Sequence, residues 1–301
     1  MDKTVLVTGS SGFLGQAILP RLAASGFRAI GLDPRPAATT QVIDDLADQE
    51  RLRVLIVREN ITHIIHAGGV SGPMVMADAP ARVVAINVMG SLNLLQAAIE
   101  TGVQTFVYCS SVSALGNFYE NGPVGEDHPL YPTSTYGCSK AAMDMALRGL
   151  WKRVPLDICS LRFTTIYGPG RTTRFVIDEI VTAAMAGKPA QLAPQTDWPY
   201  IYIDDAADAA VRACFADSRK QLVYYVAHPE QVTLDDLAAA AEAAGRSVQI
   251  QIDKTCPIAR RGPLDTDAAA HDFAFSAKIG HREGVRRMIA AAAKGEMQPL
   301  P

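Results

Sequence analysis

Long runs of like charge are missing from this 301-residue chain, whose 28 basic and 31 acidic residues leave a net charge of −3. Neither nucleic acid nor an anionic membrane surface is therefore an expected partner. The five cysteines (Cys109, Cys138, Cys159, Cys214 and Cys256) are scattered without metal-ligand spacing and read as thiols in a reducing cytosol. No uninterrupted apolar stretch is expected to be long enough for a bilayer span. The N-terminal Thr4-Val5-Leu6-Val7 is strand-like and lacks the basic flank and apolar core of a signal peptide, so a cytoplasmic protein is expected. Internal repeats and low-complexity linkers are also wanting. What remains is an ordinary globular composition, 49% hydrophobic and 20% charged. The length suits one large domain, or a large domain with a small appendage.

The pattern that is present alternates strand and helix. Residues 4–8 form an apolar run that ends at Gly9-Ser10-Ser11-Gly12-Phe13-Leu14-Gly15. A helical pattern follows, with Leu14, Ile18, Leu22 and Ala23 on one face and Gly26 as its stop. Glycines between a first strand and a helix let backbone approach a pyrophosphate, whose charge the helix N-terminus meets. The second strand, 28–32, ends at Asp33, an acid placed to bond ribose hydroxyls and to repel the 2′-phosphate of NADP. Arg35 nearby is read as a surface residue in the turn of Pro34 and Pro36. Val42-Ile43 leads to Asp45 and Leu46, placed to meet an adenine edge. Residues 61–67 form a buried strand closing on Ala67, Gly68 and Gly69, where chain can pass close to a cofactor. Its His63 and His66 are three apart and fall on opposite faces, so no metal site is expected. Residues 79–101 read as one helix with Asn87 as its polar member. Residues 104–109 form a strand closing on Ser110 and Ser111.

Tyr136 and Lys140 stand four apart behind the capping pair Thr133-Ser134, so on a helix they share a face. An ammonium beside a phenol favours the phenolate and lowers the tyrosine pKa, which makes Tyr136 a candidate general acid/base. A strand over 156–163 then leads into the turn Tyr167-Gly168-Pro169-Gly170. Beyond it the alternation loosens: helices are expected over 173–186, 205–216 and 233–244, and strands over 200–203 and 222–226. Residues 290–293 read as a surface helix.

The glycine turn, Asp33, Ser111 and the Tyr136/Lys140 pair occur in one order, joined by Asn87-Val88-Met89-Gly90-Ser91-Leu92-Asn93-Leu94-Leu95, by Arg162 through Gly170, and by Ile203-Asp204-Asp205-Ala206-Ala207-Asp208-Ala209. That ordered set closely resembles the extended short-chain dehydrogenase/reductase family, the NAD-dependent epimerase/dehydratase group. The resemblance covers almost the whole chain. It implies an α/β fold with a Rossmann-type doubly wound parallel sheet and a smaller C-terminal substrate lobe. Residues 1–165 would mainly bind NAD and 166–301 mainly substrate, with segments such as 200–227 returning to the first domain.

The resemblance also implies roles. Tyr136 would be the acid/base, Lys140 would lower its pKa and bind the nicotinamide ribose, Ser111 would hold the reacting oxygen, and Asn87 would stand behind the lysine in a proton relay. NAD would lie along Gly9, Ser11, Gly12, Phe13, Leu14, Gly15, Asp33, Asp45, Leu46, Ala67, Gly68 and Gly69. Members acting on nucleotide sugars usually carry Asn where this chain has Thr165, Arg where it has Asp197-Trp198-Pro199, and Tyr where it has Leu115. These departures favour a dehydrogenase of a small polar alcohol, such as a sugar, sugar acid or hydroxy acid. A nucleotide-sugar epimerase or dehydratase with tightly held NAD is the alternative, and a non-catalytic dinucleotide-binding regulator a third reading. The substrate pocket is expected between Ser71, Ser111 and Tyr136 on one side and Thr165, Thr173, Arg174 and Trp198 on the other, with Arg174 binding a carboxylate. A homodimer is expected by analogy.

Overall fold

The computed structural model describes residues 3–118, 122–173 and 175–297. Its centre is a seven-stranded parallel sheet, built from β1 (Thr4–Thr8), β2 (Arg28–Asp33), β3 (Val42–Ile43), β4 (His63–His66), β5 (Thr105–Ser111), β6 (Asp157–Phe163) and a later strand, Val223–Val226. The order across the sheet is β3-β2-β1-β4-β5-β6 followed by Val223–Val226. Between these strands run α1 (Phe13–Ala24), α2 (Gln49–Arg58), α3 (Pro80–Val84), α4 (Ser91–Thr101) and α5 (Thr135–Leu150).

Strand side chains alternate between two cores, as a period of two demands. Val5, Val7, Val107 and Cys109 join α1 on one face. Leu6, Phe106 and Tyr108 join α2, α4 and α5 on the other. His63 and His66 obey the same rule. The His63 ring lies 5.2 Å from Phe215, while His66 lies 5.6 Å from Tyr108 on the opposite face.

The helix expected over 79–101 is a continuous run wound in three ways, because Ala85–Gly90 between α3 and α4 is a π-helix. Such segments recur at functional sites. Pro80–Thr101, with an apolar window of mean hydropathy 1.4, is long and apolar enough to cross a bilayer by those measures alone. This corrects the expectation that no such stretch exists. In the fold it packs against α2 and α5, with Leu94, Leu95, Ala97 and Ala98 in the core.

Past β6 the chain builds a second layer: β7 (Thr165–Tyr167), α6 (Val176–Ala186), β8 (Ala190–Leu192), β9 (Trp198–Tyr202), α7 (Ile203–Cys214), β10 (Val223–Val226), β11 (Gln231–Val232), α8 (Leu234–Ala243), β12 (Ile250–Ile252), α9 (Asp267–Phe273) and α10 (His281–Ala293). The strands here form two small sheets, β11-β9-β7 and β12-β8. Tyr167, Ile177, Trp198, Leu237, Val285 and Met288 share the core between them and α6, α8 and α10. Helix α10 is therefore half in the core, and not merely a surface helix over 290–293. Helix α7 and strand β10 instead pack with the central sheet.

Candidate active site

The turn after β1 is shaped by what it cannot accommodate. Gly9 has φ +72°, and a Cβ there would stand 2.6 Å from Ala67 O and 2.7 Å from Gly68 Cα. A Cβ on Gly15 would overlap Gly9 O. Gly12 N donates to Gly9 O at 2.9 Å, and Gly12 caps α1 with no side chain to accept from the helix's first N–H groups. Phe13 and Leu14 open that helix and lean on the second layer's core. The Ser11 hydroxyl is buried without a hydrogen-bond partner among the described residues. An unpaired hydroxyl, free N–H groups and missing Cβ atoms at one helix end fit a phosphate.

Asp33 is buried at the C-terminal end of β2, and one carboxylate oxygen accepts Arg35 N at 2.9 Å. The Arg35 guanidinium is 73% exposed and 3.7 Å from that carboxylate, so it lies in solvent as the sequence suggests. Asp45 is exposed, its carboxylate accepting Ala47 N at 2.9 Å. Leu46 is half-buried against Gly90, and its carbonyl accepts from Asn93 at 2.9 Å. Gly69, at φ +123°, is fixed by Asn87, whose Oδ1 a Cβ there would approach to 2.6 Å.

Ser134 caps α5, its hydroxyl accepting Gly137 N at 3.1 Å. The helix carries Tyr136 and Lys140 to the C-terminal ends of β4 and β5. Ser111 and Ser71 stand beside the Tyr136 hydroxyl and favour its ionised form. The Tyr136 pKa is raised by burial, an effect that the two serines and the Arg171 guanidinium oppose. Lys140 is not among the groups that lower it. Its Nζ donates to Cys109 O at 2.8 Å and lies 5.9 Å from the Tyr136 ring centroid. The ammonium faces the strand here, while the roles expected of Lys140, lowering the Tyr136 pKa and binding the nicotinamide ribose, concern the cofactor-bound site. Burial lowers Lys140 itself to about 8.

Asn87 is buried and fully engaged. Its Oδ1 accepts Val70 N at 2.7 Å, and its Nδ2 donates to Val70 O and to Ser139 Oγ, each at 3.0 Å. The side chain clasps the loop before Ser71 to α5.

Across the cleft, Trp198 Nε1 donates to Thr165 Oγ1 at 3.0 Å. The Trp198 ring lies 6.1 Å from Phe175. Arg171 stands 5.4 Å from the centre of Phe175, and Arg261 stands 5.1 Å from Trp198 and 5.5 Å from Phe118. Arg261 is lowered to about 10 by burial, and its Nε has no partner among the described residues. Thr173 contributes its carbonyl, which accepts Arg171 Nε at 3.0 Å. Arg174 lies outside the described residues. Arg171 and Arg261 escaped the sequence reading because each is a single cation in an irregular loop, where no period marks a face.

A sequence model of the NAD dependent epimerase/dehydratase family matches residues 5–227. The chain belongs to that family. Among relatives of this epimerase/dehydratase chain, the UDP-glucose 4-epimerase of Mycolicibacterium smegmatis is 24% identical over 94% of this chain and 96% of its own. The dTDP-glucose 4,6-dehydratase of Streptomyces antibioticus is 26% identical over 95% of this chain and 91% of its own. The Thermus thermophilus UDP-glucose 4-epimerase, solved in complex with NAD, superposes with a TM-score of 0.82 at 27% identity, covering 95% of this chain and 98% of that one. The family's chemistry is NAD-dependent, and the Rossmann-type fold is shared. Members acting on nucleotide sugars thus make the alternative reading the more specific form of the hydride-transfer chemistry expected from sequence.

Proposed function

We propose that this chain is a nucleotide-sugar epimerase that inverts a secondary alcohol carbon through reversible oxidation with bound NAD. The reading rests chiefly on one arrangement: the Tyr136 hydroxyl, with Ser111 and Ser71 beside it, faces a wall in which Arg171 and Arg261 flank the aromatic pair Phe175 and Trp198. Among the described residues no carboxylate pairs with Arg261, and such a cation suits a diphosphate. Thr165 accepts from Trp198 and keeps its own proton for a ligand.

When bound, NAD supplies the hydride acceptor and donor. The chain's own residues do the rest. Tyr136 takes the sugar hydroxyl proton and returns it, and Ser111 and Ser71 hold the reacting oxygen in line. Residues 1–165 hold the cofactor in this reading, and 166–301 the substrate. Dehydration across a neighbouring carbon needs a second acid/base; Val112-Ser113-Ala114 after Ser111 offers hydroxyl but no carboxylate, which favours simple inversion.

A homodimer forms part of the same proposal. Val84, Met89 and Met145, on the α3–α4 run and on α5, are 42%, 54% and 57% exposed. Free thiols at all five cysteines agree with a cytoplasmic setting.

The test is to incubate purified protein with UDP-glucose, UDP-galactose and UDP-glucuronate and separate the products. Formation of the 4-epimer without net NADH is expected. Steady NADH production from added NAD with a free sugar or hydroxy acid, and no epimer, would overturn the proposal.

A further inference from the structure

His66 lies at the end of β4, 1% exposed, and takes no direct part in the chemistry above. Both its ring nitrogens are nonetheless bonded: Nδ1 is 2.6 Å from Thr8 Oγ1, and Nε2 is 2.7 Å from Ser91 Oγ. The protons in this chain can be counted. Ser91 Oγ lies 2.6 Å from Asn87 O, and a carbonyl only accepts, so the serine proton is committed there. The contact between Ser91 and His66 can then be made only by a proton on Nε2. A neutral ring with Nε2–H leaves Nδ1 as an acceptor, which Thr8 fills with its hydroxyl proton. Thr8 Oγ1 in turn accepts Gly68 N at 3.2 Å.

The chain continues from Asn87. Its amide holds both polar atoms of Val70 and donates to Ser139 Oγ, and Ser139 donates to Tyr136 O at 2.7 Å. Hydrogen bonds, linked at Asn87 through the residue itself from backbone carbonyl to side-chain amide, thus join Gly68, beside the glycine turn, to the backbone of Tyr136.

We propose that His66 is a positioning residue that, as a neutral Nε2–H imidazole, fixes one proton order along Thr8, Ser91 and Asn87 and thereby couples the cofactor cradle to the acid/base helix. A charged ring would carry a proton on each nitrogen and force the Thr8 hydroxyl to turn away from it. Around the ring stand Tyr108 on β5 and the ammonium of Lys140 on α5. Burial and that ammonium push the His66 pKa down to about 3, which agrees with a ring that stays neutral. The six histidines are few enough for direct spectroscopy.

In protein labelled with 15N in its imidazoles, the signal lost in the His66→Gln variant is assigned to His66. The expected signal is a neutral ring with its proton on Nε2, unchanged between about pH 6 and 9. A proton on Nδ1, or an average of exchanging tautomers, would overturn the proposal without reference to any substrate. In variants, His66→Phe removes both bonds and should weaken NAD binding and lower kcat by about tenfold each. His66→Gln, whose amide can donate to Ser91 and accept from Thr8, should recover most of both. Wild-type NAD affinity and kcat in His66→Phe, or no recovery in His66→Gln, would show that only ring packing matters. If His66→Phe does not fold, Thr8→Val and Ser91→Ala cut the same path one link at a time, and unchanged values in both are the overturning result.

Discussion

Lys140 turns its ammonium onto the carbonyl of Cys109, at 2.8 Å, and lies over the ring of Tyr108 at 4.6 Å, while the Tyr136 ring is farther away at 5.9 Å. No carboxylate among the described residues accepts from that ammonium. A buried cation whose partner is a backbone oxygen is costly to keep charged, and its lowered pKa records the cost. Such a group serves function at the expense of the fold.

Replacing Lys140 by Met should therefore stabilise the protein while abolishing turnover. The native-state pKa of about 8 lies below the ordinary 10.5, so the folded chain binds this proton more weakly than the unfolded chain. Stability then rises with pH between those two values and carries the full penalty below about 8. After subtracting the lost bond to Cys109, a gain of about 2 kcal/mol is expected at neutral pH. Urea melts at neutral and alkaline pH test it: the advantage of the Met variant should shrink as pH rises above about 8.

Tyr136→Phe deletes one hydroxyl and leaves the ring in place. The fold and NAD affinity should persist, and turnover should fall by about 10²–10⁴. Near wild-type turnover would transfer the acid/base role to another group, with Ser111 or Ser71 the first to be tested.

Asp33 keeps a buried carboxylate at the end of β2 while Arg35 stays in solvent. NAD should outcompete NADP, and Asp33→Ser should narrow the gap by relieving charge repulsion with the 2′-phosphate. Comparing KM for the two cofactors in both proteins decides it; a native preference for NADP would count against the assignment.

What could be read from the chain, and what could not, follows from the range of the forces. β1, the glycine turn and α1 are legible because strand period, turn and helix period succeed one another within residues 4–24. Ser134, Tyr136 and Lys140 share one helix, so spacing alone places them together. The π-helical winding around Asn87 escapes sequence because it shows only in how Pro80–Thr101 packs in the fold. β7, β8 and β12, three residues each, exist through their partners, so no local pattern announces them. Lys140's preference for Cys109 O was hidden for the same reason, since the carbonyl arrives from 31 residues away.

The remaining prediction concerns Asp178, near the start of α6 and fully buried. Among the described residues neither carboxylate oxygen makes a well-formed hydrogen bond, and the backbone N–H groups of Phe175 and Asp178 compensate only in part. The cation paired with it among those residues is Arg171, with Nε 3.7 Å from Oδ2. Burial raises the pKa from 3.8 to about 7, against the pull of Arg171. Because the folded chain holds this proton more tightly than the unfolded chain, the group's contribution to stability is full below about pH 4 and is lost as pH climbs through 7. Asp178→Asn cannot ionise, so its stability relative to wild type should improve by about 1.4 kcal/mol for each pH unit between roughly 4 and 7. Urea midpoints across that range measure the slope, and a constant difference between the two proteins would show that Asp178 is ionised throughout. The same substitution leaves Arg171 with its full charge facing Tyr136. The phenol's pKa should then fall, and the kcat profile should move toward lower pH. A stability slope without a shift in the kcat profile would mean that Arg171 anchors its loop and has no hold on the acid/base.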